Sequence, residues 1–205
     1  MNAGAQPAAA GPQPAAGGAR LFVGLPVPAD VARALVQTAG AALAECAVRV
    51  YPAEDVHLTL VFLGERERAE VEALALALPE VLRGVAPLEL AVRGCGVFPE
   101  DGARAPVRAF WAGVSSVAPG ALAELRAAVS RACAPPLETG SWTPHLTLAR
   151  PLPRASVPAP EAFLSARFDL RWRADEVVLF ESRRERTAGE RYAALARIPL
   201  IASAG

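Results

Sequence analysis

The chain has 205 residues, 53% of them hydrophobic and 20% charged, and its 21 basic and 21 acidic residues cancel. That length suits one ordinary domain or one duplicated domain, the charge balance excludes the strong positive field of a protein that coats long nucleic acid, and no apolar run approaches the roughly 20 residues of a membrane helix. Every basic residue is arginine, which excludes Schiff-base chemistry, a phosphate-loop lysine and a lysine general base.

Residues 1–19 are almost wholly Ala, Gly, Pro and Gln. They cannot bury enough surface to offset their ordering entropy, so a disordered tail is expected, without the features of a signal or transit peptide. A single domain is expected over 20–205. Leu21 to Leu25 reads as a short buried strand, followed by a turn over Pro26 to Asp30 and a helix with Val31, Leu35, Ala39, Leu43 and Cys46 on one face. His57 to Leu63 is dense in strand formers and stops at Gly64. Arg66 to Leu82 carries Val71, Leu74 and Leu78 at helical spacing, with Pro79 ending or kinking it. Leu88 to Phe98 reads as a strand interrupted by Gly94 and Gly96.

The second half repeats this order. Val107 to Val114 is a predicted strand, Pro119 to Cys133 a helix with Leu122, Leu125 and Val129 inward, and His145 to Arg150 a strand. Ala166 to Trp172, Glu176 to Phe180 and Tyr192 to Leu200 alternate as strands do. A forward shift of 88 takes His57 to His145, Leu21 to Ala109 and Asp30 to Ala118. The common shift points to an internal repeat, about 21–98 and 107–200, related by a pseudo-two-fold axis. Cys46, Cys95 and Cys133 are odd in number and far apart, as reduced, mostly buried thiols of a cytoplasmic protein would be.

Only two histidines occur, and each opens the same tetrapeptide: His57-Leu58-Thr59-Leu60 and His145-Leu146-Thr147-Leu148. On a strand, His and Thr share one face while the leucines enter the core. A two-fold axis would bring the polar faces together across a cleft. Two imidazoles near neutral pH can divide the work of base and acid in phosphodiester hydrolysis, while Thr59 and Thr147 donate to the phosphorane oxygens. Arg150 lies five residues after His145, so an unbroken strand sends it to the opposite face. A bulge or strand end at Ala149 would return it to the cleft, where it could clamp the phosphate. A zinc site is disfavoured because the two motifs offer two His and no third ligand.

Other candidates rank lower. Gly94-Cys95-Gly96 is too short for a dinucleotide loop, and a bulge explains it better. Arg183, Arg184, Arg186 and Arg191 flank a turn at Ala188-Gly189 and read as a solvated hairpin before an RNA patch. Of the tryptophans, Trp142 is the one placed to stack a base, against an equal case for core packing.

The paired motifs, with Phe62-Leu63-Gly64-Glu65 after the first and Pro144 and Ala149-Arg150 flanking the second, resemble the two-histidine (2H) phosphoesterases. The likeness extends from about Arg20 to Leu200 and is nearest to the LigT-like RNA 2′,3′-cyclic phosphodiesterases, also called 2′-5′ RNA ligases. It implies an α+β fold of two pseudo-symmetric lobes, each an antiparallel sheet with outer helices, around a central metal-free, cofactor-free cleft. It further implies that an RNA-terminal 2′,3′-cyclic phosphate is opened to a 2′-phosphate. On that pattern His57 donates the proton, His145 activates water, and Thr59, Thr147 and Arg150 bind phosphate. Pro151 to Pro160 matches no part of it. A cytoplasmic monomer acting on RNA ends or small cyclic nucleotides, with no membrane partner, is the expectation. The alternatives are a sister activity on ADP-ribose cyclic phosphate or 2′-5′ linkages, and a non-catalytic RNA-end binder.

Overall fold

The computed structural model describes residues 19–99, 106–133, 142–183 and 191–202. The tail over 1–18 and the turn at Ala188-Gly189 lie outside these residues. In chain order the elements are β1 (Ala19–Pro26), α1 (Ala29–Ala42), β2 (Val48–Val50), a 3-10 turn (Ala53–Asp55), β3 (His57–Arg66), α2 (Arg68–Val81), β4 (Leu88–Phe98), β5 (Ala109–Ser116), α3 (Ala121–Ala132), β6 (His145–Pro151), α4 (Glu161–Leu164), β7 (Arg171–Ala174), β8 (Glu176–Ser182) and β9 (Tyr192–Pro199).

The strands form one sheet in the order β7-β4-β5-β6-β3-β1-β8-β9, with β2 on a further stretch of β6. Every pairing is antiparallel. A two-fold axis between β6 and β3 exchanges β5 with β1, β4 with β8 and β7 with β9, which gives the two expected lobes. The lobes are not the two halves of the sequence. β4 comes from the first half but pairs with β5, whereas β8 and β9 from the second half complete the lobe of β1 and β3.

The helices cover one face. Val31, Leu35 and Ala39 of α1, Leu74 and Leu78 of α2, and Leu122, Leu125 and Val129 of α3 join the alternate leucines and valines of the strands in one core. This follows from pairing a period of two with a period of 3.6 across a common apolar layer. α2 runs two residues past Pro79, close to a helix end where a lost amide bond costs least. α3 begins later than the shift of 88 predicts, because Gly120 enters it at φ +84°, a backbone region open to glycine.

Several local expectations are corrected. β2, the 3-10 turn and α4 are too short to leave a periodic signal. The strand expected over Ala166 to Trp172 is replaced by β7, because only Arg171–Ala174 finds a ladder partner, on Leu88 to Ala91 of β4. Cys46 lies beyond the end of α1 and is half-buried, and the three cysteines are free thiols. Burial pushes Cys95 and Cys133 up to about 11, so neither is an activated thiolate. Among the described residues no helix is long and apolar enough to cross a membrane.

Candidate active site

β3 and β6 meet at one backbone pair, Leu58 opposite Leu146. In an antiparallel ladder the flanking residues match crosswise, which sets His57 across from Thr147 and Thr59 across from His145 on a single face. Both leucines are fully buried, while the two His and two Thr are half-buried. The repeated tetrapeptide thus sits astride the two-fold axis. Neither threonine hydroxyl hydrogen-bonds a described residue, so both can serve a ligand.

Both imidazoles are oriented by the same local device. His57 Nδ1 lies 2.8 Å from the Asp55 carbonyl oxygen, and His145 Nδ1 lies 2.8 Å from that of Thr143. A carbonyl only accepts, so Nδ1 donates in each ring and the lone pair of the neutral form is on Nε2. The 3-10 turn supplies the first carbonyl and the Thr143-Pro144 entry to β6 the second.

Their surroundings differ. His57 stacks on Phe22 at 4.6 Å between centroids and meets the edge of Tyr192 at 4.7 Å. His145 meets Phe98 edge-on at 4.8 Å. Burial holds His57 down at about 4; its bond to the Asp55 carbonyl opposes this, and the charges of His145 and Arg191 add to the lowering. The charge of His145 thus reaches His57, although the rings that surround the two histidines differ.

Arg150 stands where a bulge would put it. β5 pairs Trp111 with Thr147 but Phe110 with Ala149, which leaves Leu148 as an extra residue in β6. Leu148 and Ala149 are both buried, the alternation slips by one, and Arg150 emerges exposed on the face of His145. Burial raises the Tyr192 hydroxyl above its ordinary value, and the charges of Arg191 and, least, Arg150 oppose this; the Tyr192 ring touches His57. β3 repeats the device: β1 pairs Val23 with Val61 but Gly24 with Thr59, so Leu60 is the extra residue. Each bulge carbonyl is bonded, Leu148 by the Tyr51 amide and Leu60 by Arg126 Nε. Phe62 is thereby the two-fold counterpart of Arg150, and it is 39% exposed.

Sequence reasoning missed the aromatic wall of Phe22, Phe98, Phe180 and Tyr192. These residues come from strands distant in sequence, and the one signal for them was that Phe22 lies two residues before Gly24 on the strand beside His57. Trp142 packs on the core under the Arg126 guanidinium, 5.0 Å from its ring centre. Gly94, at φ +59°, marks the register shift between Arg93 and Cys95, as a bulge requires. Arg184 and Arg186 lie outside the described residues, whereas Arg183 and Arg191 line a cavity of about 800 Å³. Among the described residues no group of three His, Cys, Asp or Glu is placed to hold a metal ion.

A profile of the 2′-5′ RNA ligase superfamily matches residues 27–186. An RNA 2′,3′-cyclic phosphodiesterase of Geobacillus stearothermophilus is 32% identical over 185 residues, which span 88% of this chain but only 57% of that relative. One from Thermus thermophilus is 34% identical over 176 residues, covering 80% of this chain and 81% of the relative. Among solved structures, TT0787 of Thermus thermophilus superposes with a TM-score of 0.72 at 28% identity, over 90% of this chain and all (100%) of its own. E. coli LigT complexed with 3′-AMP gives 0.68 at 25% identity, over 89% of this chain and 98% of its own.

Proposed function

The chain belongs to the 2′-5′ RNA ligase superfamily, and we propose that it hydrolyses the 2′,3′-cyclic phosphodiester at an RNA end to a 2′-phosphomonoester without a metal. The observation that carries this is the crosswise arrangement of two His and two Thr around the Leu58–Leu146 pair, with both rings presenting Nε2. Water attacks phosphorus and gives its proton to one Nε2. The bond to the 3′ oxygen breaks, and that oxygen takes a proton from the other Nε2. Thr59, Thr147 and Arg150 donate to the phosphoryl oxygens, where negative charge builds. The relatives named as RNA 2′,3′-cyclic phosphodiesterases support the substrate class. Free, partly buried thiols suit a cytoplasmic setting.

The resemblance makes His57 the acid and His145 the base. The lowered affinity of His57 for a proton favours the reverse order, because a ring held at about 4 starts neutral at pH 7. The incoming phosphate's negative charge works against that lowering, so the two orders differ in what the bound substrate does to His57.

Kinetics of single variants separate them. Replacing either histidine with Ala should cost on the order of 10²–10⁴-fold on 2′,3′-cyclic AMP, with wild-type activity unchanged in excess chelator. A 4-nitrophenyl phosphodiester needs no acid, since its leaving group departs as the anion. The variant lacking the acid therefore regains much of its rate on that ester, and the variant lacking the base does not. Near wild-type turnover by a folded single variant, or activity that returns only with added metal, would refute the two-histidine chemistry.

A further inference from the structure

Beside a cavity lined by His57, Phe180 and Tyr192 lies a second one of about 800 Å³, lined by Arg20, Arg49, Tyr51, Asp55, Arg183 and Arg191 among others. The two cavities share Asp55 and Arg191, so Arg191 stands on the wall between them. Four arginines and one carboxylate residue, Asp55, line the second cavity. Arg183 pairs with Glu181 at 3.3 Å. Arg20, Arg49 and Arg191 have no carboxylate within salt-bridge distance among the described residues.

Tyr51 organises the cluster. It is only 4% exposed, and its ring lies 5.9 Å from the Arg49 guanidinium carbon and 5.5 Å from that of Arg191. Arg191 also lies 5.5 Å from the Tyr192 ring, which touches His57. Packing against rings occupies the flat faces of a guanidinium and leaves its N–H edge for an anion. β2 sets Arg49 directly across from Arg150 of β6. That register sets the second cavity, which Arg49 lines, next to the strand that carries Arg150.

We propose that this cavity binds a second phosphate, the one on the 5′ carbon of the same ribose that carries the cyclic phosphate. The proposal rests on the function proposed above, because it takes the His57 and His145 cleft as the place of the cyclic phosphate. The same chemistry has two sources: the preceding internucleotide phosphate of an RNA strand, and the pyrophosphate of an ADP-ribose cyclic phosphate. In either case a nucleoside cyclic phosphate with a bare 5′ hydroxyl is an incomplete substrate. Arg49 and Arg183 hold the second phosphate, and Arg191 lies between the two.

Calorimetric binding of two product-like probes tests this without relying on turnover. Adenosine 2′,5′-bisphosphate should bind wild type about 10-fold or more tightly than adenosine 2′-monophosphate, as one charged contact gives, with the gap closing at high salt. Arg49→Gln and Arg183→Gln, made separately, should remove most of that gap and leave the monophosphate's affinity unchanged. Equal binding of the probes by wild type, or variants that weaken both alike, overturns the second site. Hydrolysis of 2′,3′-cyclic AMP tests the underlying reading on its own, because its absence would not alter the preference for the bisphosphate. The ratio of kcat/KM between a dinucleotide ending in a 2′,3′-cyclic phosphate and ADP-ribose 1″,2″-cyclic phosphate assigns the source. A higher value for the dinucleotide means RNA, and the reverse means the pyrophosphate.

Discussion

Burial of His57 against Phe22 and Tyr192 couples its protonation to folding. Its proton leaves the unfolded chain near the ordinary value of 6.5 but leaves the folded protein only at about 4. Between those values the unfolded state binds more protons, so stability rises with pH across this window and is lost as pH falls through it. The contribution is on the order of 3 kcal/mol, since each pKa unit is worth about 1.4 kcal/mol. Urea unfolding of wild type and His57→Gln from pH 7 to pH 4 should show wild type losing that much more than the variant. Parallel profiles would mean that the aromatic wall leaves the ring wet. The repeated tetrapeptide alone singled out both histidines as candidates. Their unequal environments were not legible in it, because the rings around His57 come from β1, β8 and β9, far from it in the chain.

At the scale of single elements, the bulges at Leu60 and Leu148 decide what each strand shows the cleft. Strict alternation sends Arg150 to the buried face, where an unpaired guanidinium would be costly, and the extra residue reverses this. The bulge also makes Arg150 a prediction of geometry as well as of motif. Arg150→Ala should lower turnover of a cyclic phosphate about 10²–10³-fold with folding unchanged, as loss of a positioned charged donor does. Unchanged kcat in a folded variant would return Arg150 to a purely structural place beside Arg49. Phe62, its counterpart in β3, carries no charge, so the two sides of the cleft are chemically unequal although their backbones match. Gly24 belongs to the same device: a Cβ there would lie 2.7 Å from the Leu58 carbonyl oxygen, one residue from Thr59. The sequence hinted at the β6 bulge only through Pro151, and its exact position depended on the register with β5.

Across the whole molecule, the exchange of strands ties the lobes together. The stretch from β1 to β4 lacks β8 and β9, and its own β4 belongs to the other side of the sheet. A fragment ending after β4 would expose two unpaired edges and half a core, so it should show no cooperative unfolding transition on its own. The full chain should unfold in one transition by circular dichroism and by tryptophan fluorescence. A fragment over 19–99 that folds cooperatively would show that the exchange of strands does not bind the lobes into one folding unit.

By itself the sequence determined the class and order of the longer elements, since apolar period fixes whether a segment buries a stripe or a face, and it singled out His57, Thr59, His145 and Thr147 through a repeat. It also excluded lysine chemistry through composition. Tertiary structure alone decided the partners of those residues. Which strands adjoin, where an extra residue slips the register, and which arginines converge around Tyr51 depend on contacts between segments dozens of residues apart. No local propensity encodes such contacts, because their free energy exists only once the sheet has closed around its core.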